Sequence, residues 1–116
     1  MRIMIVLSLV LNIAVLLPVC YGIMTDAAWA RESYGELTAA RGILLSVYIA
    51  IALVSLGLLF HREPNMVAAL ILVQIVYKLT TPFTVGTIAN PVVASNLLIA
   101  VFHSITLFLI YRRSKL

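Results

Sequence analysis

Arg41 and Lys78 are the two residues of this 116-residue chain whose position most needs a chemical reason. Each is a full cation at or inside a long apolar run. A guanidinium or an ammonium so placed can recognise an anion, a carbonyl or a lipid headgroup. The plainer alternative is that each buries its stem, reaches toward the nearest polar boundary and pairs there with a loop carboxylate or lipid phosphate. Glu36, five residues before Arg41, is the expected counter-ion, and Glu36 or Glu32 could equally reach Lys78. Uncharged polar residues recur in the same apolar stretches: Asn12, Tyr48, Gln74, Asn96 and His103. They can line a ligand path or hydrogen-bond one another, the latter being the common use of such residues between apolar helices.

Their spacing assigns them to helix faces. Ser8 and Asn12 stand four apart; Arg41, Tyr48 and Ser55 stand seven apart; Gln74, Lys78 and Thr81 follow one another at four and three; Asn96 and His103 are again seven apart. Each set keeps to one face of a helix, giving four polar stripes. At about 1.5 Å of rise per residue, Arg41, Lys78 and Asn96 fall roughly 7–8 Å from the outer helix ends, and Asn12, Tyr48, Gln74 and His103 roughly 13–18 Å. The stripes therefore predict an outer cationic layer above an uncharged one near mid-depth. A separate set on the second helix, Gly42, Ser46 and Ala50, recurs every four residues and lets backbones approach. Close packing inside the fold is its first reading, and self-association the second.

Composition explains why these residues lie in lipid. Apolar residues make up 64% of the chain and charged residues 10%, against about 45–50% and about 25% in soluble domains. Charge-free or nearly charge-free runs mark four spans, about 3–21, 37–60, 64–83 and 91–111, each near the roughly 20 residues that cross a bilayer. The run from Glu63 to Lys78 is too short to cross, so the third helix must contain Lys78. Pro64 and Pro91 suit first helical positions, with Asn90 as an N-cap. Segment 26–35, with Trp29, Tyr34 and a possible Asp26 cap, reads as a short interfacial helix, and loop 84–89 as packed against the bundle mouth.

Arg2, Arg62, Arg112, Arg113 and Lys115 then fall at one face and Asp26, Arg31, Glu32 and Glu36 at the other. The positive-inside rule puts both termini in the cytoplasm. Residues 1–116 are expected to form a single all-α transmembrane domain, an up-down-up-down four-helix bundle of the cytoplasmic (inner) membrane. The net charge of +4 follows from that topology and requires no nucleic-acid partner, and the basic end also attracts anionic lipid. Ala28-Trp29-Ala30 imitates a signal-peptide cleavage site but lies too far beyond the apolar core, so the first span is retained.

Several chemistries are disfavoured. Cys20 is alone, which leaves no disulfide or metal quartet, and it reads as a packing residue. His61 and His103 lie at different depths and do not make a haem pair. Ser104 and His103 are helix neighbours that point apart, with no acid to orient the imidazole. No paired carboxylates or metal-ligand spacing appear, which argues against an enzyme and implies no cofactor. Small multidrug exporters share this length and helix count, but the acidic residue that family implies in the first span is replaced here by Asn12.

Gly35-Glu36-Leu37-Thr38-Ala39-Ala40-Arg41-Gly42 followed by an apolar run with Tyr48, together with Tyr77-Lys78, resembles the DoxX-like group of small four-helix membrane proteins. That resemblance implies the fold and little about activity. The expected function is that of a non-enzymatic accessory or interaction subunit, binding other membrane subunits or itself. The alternative is a small-solute or anion carrier or channel, acting as an oligomer and lined by Arg41, Lys78, Tyr48, Gln74 and His103.

Overall fold

Helix boundaries fall where the apolar runs meet glycine, proline or charge. The computed structural model describes residues 2–114, with side chains to residue 113; Lys115, placed with the inner basic residues above, lies outside them. Among the described residues there are five helices: α1 (Arg2–Met24), α2 (Ala28–Tyr34), α3 (Ala39–Phe60), α4 (Pro64–Val85) and α5 (Pro91–Ser114). All but α2 are long and apolar enough to cross a membrane.

The caps explain the starts. Thr38 accepts the Arg41 amide at 3.3 Å, opening α3. Pro64 takes the first turn of α4, where its missing amide hydrogen costs nothing, and Glu63 accepts the Asn65 amide at 3.0 Å. Asn90 Oδ1 accepts the Val92 amide at 2.9 Å, as an N-cap should. The expected Asp26 cap is not formed: α2 opens at Ala27 without a side-chain cap, because the Asp26 carboxylate is turned to two arginines instead.

The chain divides into two compact units. One joins the start of α1, through Ser8, to α4 and α5. Here α4 and α5 pack on one another across a short connection. Arg2, Ile5, Arg62, Pro64 and Arg113 line one cavity of about 360 Å³, so the beginnings of α1 and α4 meet the end of α5, which runs antiparallel to both. In the other unit the rest of α1 packs with α2 and α3. Asp26 meets Arg41, and Asn12 meets Ser55. Asn12 is fourteen residues before Asp26 and Ser55 fourteen after Arg41, so α1 and α3 are antiparallel in a register held over about 21 Å.

Burial repeats in steps of three and four. On α5 it takes Val93, Asn96, Ala100, His103, Thr106 and Ile110, the spacing of one helical face. Outward positions remain apolar, including Ile3, Phe60, Phe83 and Leu98, each more than 70% exposed. Such a surface suits lipid rather than water. Two expectations fail here. Residues of loop 84–89 are all exposed rather than packed on a bundle mouth. Gly42, Ser46 and Ala50 are exposed as well, so this small-residue ridge is not spent on packing within its own unit. The buried face of α3 runs instead through Arg41, Tyr48, Ile51, Ser55 and Leu58.

Candidate functional site

Arg41 is drawn inward by a cluster of backbone and carboxylate oxygens at the start of α3. Its side chain is 1% exposed, and its Nη2 stands 2.8 Å from Asp26 Oδ1. Nη1 donates to the Gly35 carbonyl at 3.1 Å. That carbonyl is aimed by the backbone of Gly35, whose φ of 90° and ψ of −175° define a region open essentially to glycine alone. The Arg41–Asp26 contact is an ion pair off the hydrogen-bond line, and Arg41 Nε has no partner among the described residues. Arg31, exposed on α2, donates to Asp26 Oδ2 from Nε at 3.0 Å and from Nη2 at 2.7 Å.

Asp26 therefore carries the cluster. The hydrogen bonds from Arg31, and then the contact with Arg41, hold its carboxyl at about 2, below its ordinary 3.8. Its φ of 55° lies in the left-handed region, which Asp tolerates better than most side chains. This corrects the expected pairing: Glu36 and Glu32 are exposed, and the counter-ion of Arg41 is Asp26. Beside the cluster, the Tyr34 and Tyr48 rings meet edge to face at 5.9 Å. Trp29 packs so closely on Gly22 that a Cβ there would overlap the indole.

Lys78 has a different environment. It is 5% exposed, and its Nζ lies 2.9 Å from the Tyr77 hydroxyl and 4.7 Å from the centre of that ring. No carboxylate lies within salt-bridge distance among the described residues. Nearby on the same face, Gln74 is buried and donates to the Leu70 carbonyl of its own helix at 3.4 Å. Asn96 is buried on α5.

Within each unit, several buried polar side chains bond one another. Ser8 Oγ and Thr106 Oγ1 are 2.7 Å apart, and His103 Nδ1 is 3.2 Å from the same Ser8 oxygen. All three are fully buried. Asn12 donates to Ser55 at 3.0 Å. Thr106 escaped the sequence reading although it stands three residues after His103, on the same face. Ser104, by contrast, turns its hydroxyl back to the Ala100 carbonyl at 2.7 Å.

Of the residues singled out from sequence, Asn12, Arg41 and Tyr48 are buried in one unit, and Gln74, Lys78, Asn96 and His103 in the other. Glu36 alone faces outward. Cys20 is buried, as a packing residue should be. Among the described residues, no three His, Cys, Asp or Glu side chains converge where a metal ion could sit. What these contacts do chemically is hold helices: a paired guanidinium and an amide–hydroxyl contact in one unit, hydroxyl and imidazole contacts in the other. No family model, curated protein or solved structure matches this chain.

Proposed function

We propose that this is a multi-pass protein of the cytoplasmic membrane that acts as a small non-enzymatic accessory subunit, associating with other membrane subunits or with itself. In this reading the spans run up, down, up and down with both termini in the cytoplasm, in keeping with the positive-inside rule. The observation that carries it is the ridge of Gly42, Ser46 and Ala50, which is exposed, with open space beyond Gly42. Small residues at four-residue spacing let a second helix approach closely in lipid, where van der Waals packing replaces hydrophobic drive. The polar residues support the same reading, because Arg41, Ser8, Asn12, Ser55 and Thr106 make contacts within the chain. The likeness to the DoxX-like group belongs to the proposal too; its Gly35 and Arg41 are hydrogen-bonded to each other.

A carrier or channel for a small anion is the second reading, and Lys78 favours it. A buried ammonium whose near partner is a neutral phenol is a place where an anion gains more than it does at a paired lysine. Purification in mild detergent separates the two. A stable complex that Gly42→Leu dissociates and Lys78→Ala leaves intact supports the accessory subunit. A lone oligomer that moves solute in liposomes, and loses this with Lys78→Ala, refutes it.

A further inference from the structure

Three arginines from distant parts of the sequence share one cavity. Arg2 opens α1, Arg62 stands in the turn before α4, and Arg113 closes α5, yet all three line the same space of about 360 Å³ with Ile5 and Pro64. That volume lies at the lower end of the roughly 300–1,000 Å³ typical of ligand sites. None of the three has a carboxylate within salt-bridge distance among the described residues. The nearest acid in sequence, Glu63, is engaged as the α4 cap through the Asn65 amide. Arg112, adjacent to Arg113, does not line the cavity.

Like charges gathered around one space repel, and that arrangement is relieved by an anion between them. Guanidiniums present planar forks of donors that match phosphate oxygens two at a time, which an ammonium cannot do. Ile5 and Pro64 add an apolar wall, which suits a phosphate carried on an organic group better than a fully hydrated ion. We propose that the Arg2–Arg62–Arg113 cavity is a phosphate-binding site, taking either the headgroup of an anionic phospholipid or a soluble phosphoryl compound. It is separate from the Arg41 cluster and from the Gly42 ridge, and does not depend on the accessory-subunit reading.

Two arms identify the source of the phosphate. In neutral phosphatidylcholine nanodiscs the full chain is titrated with inorganic pyrophosphate by calorimetry. In detergent micelles doped with phosphatidylglycerol, retained lipid is measured by native mass spectrometry. Saturable binding is expected in one arm, weakened about tenfold by Arg62→Gln or Arg113→Gln, the scale of a lost charge-assisted hydrogen bond. Arg112→Gln removes the same charge outside the cavity and is expected to weaken binding less than either cavity variant does, through the general attraction of a basic surface alone. Where a glutamine variant fails to fold, Arg62→Lys keeps the charge and loses the fork, and is expected to bind more weakly than wild type. Binding in neither arm, an equal loss in Arg112→Gln and the cavity variants, or wild-type affinity in Arg62→Lys overturns the site.

Discussion

The Ser8–Thr106–His103 contact gives the sharpest quantitative test of how this chain holds its helices. Ser8 of α1 is bonded to two α5 side chains, at 2.7 Å to Thr106 and 3.2 Å to His103, and all three are fully buried. Hydrogen bonds between helices in lipid average about 0.6 kcal/mol and reach about 1.7. Ser8→Ala removes two of them and is expected to cost about 1.2 kcal/mol at the average value. Thr106→Val nearly keeps the shape and removes the short contact with Ser8; the other acceptors of the Thr106 hydroxyl, the Met4 carbonyl of α1 at 3.5 Å and the Phe102 carbonyl at 3.4 Å, are long, so about 0.6 kcal/mol is expected. Thr106 already has a fallback in the Phe102 carbonyl of its own helix at 3.4 Å, which softens the cost of losing Ser8 as a partner. A double-mutant cycle isolates the pair, with unfolding followed in mixed micelles or by steric trapping in bicelles. A coupling near 0.6 kcal/mol is expected. A coupling indistinguishable from zero, or a Thr106→Val variant costing as much as Ser8→Ala, refutes the claim that these hydroxyls tie α1 to α5.

Three further outcomes follow from the other contacts. Asp26→Asn keeps the left-handed backbone but removes the charge, and is expected to lower the melting temperature and release α2, seen as a shift in the emission of Trp29, the single tryptophan. Acid should do the same to the wild type: the carboxyl titrates lower when folded, so its contribution is complete above about pH 4 and is lost as pH falls toward about 2, a window that emission against pH will show. Gly22→Ala is expected to push the indole off α1 and shift its emission even at neutral pH, whereas an unchanged spectrum would mean that Trp29 does not rest there. Lys78→Met removes an ammonium that lies about 10 Å from the end of α4, beside the Tyr77 hydroxyl and with no carboxylate at salt-bridge distance among the described residues. Charged residues cost about 2.5–3.5 kcal/mol at a span centre and less toward its ends, so a gain of about 1–2 kcal/mol in unfolding stability is expected.

The helices were legible because each stripe repeats at helical spacing and each charge or proline marks an end. Pro64 and Asn90 act at helix starts as their chemistry dictates. The polar stripes face inward for the same reason that they were visible: lipid penalises an outward Asn, Gln or His. What stayed hidden depends on loops and on helix azimuth. The pairing of Arg41 with Asp26 requires the chain to fold back through α2 and Gly35, and a partner fifteen positions away leaves no periodic trace. The outward turn of Gly42, Ser46 and Ala50 was equally unreadable, since small residues suit an inner seam and an outer one alike. The arginine cavity likewise assembles from three distant segments.

The Asp26–Arg41 ion pair also bears on how the chain is made. The carboxylate precedes the guanidinium by fifteen positions, so during synthesis it leaves the ribosome first. At about 5–20 residues per second the lag is about one to three seconds. When α3 enters the bilayer, its arginine meets a counter-ion already tethered at the end of α1. This guanidinium is thus delivered after its partner, and reversing that order, by circular permutation for instance, should slow insertion even where the finished fold is the same.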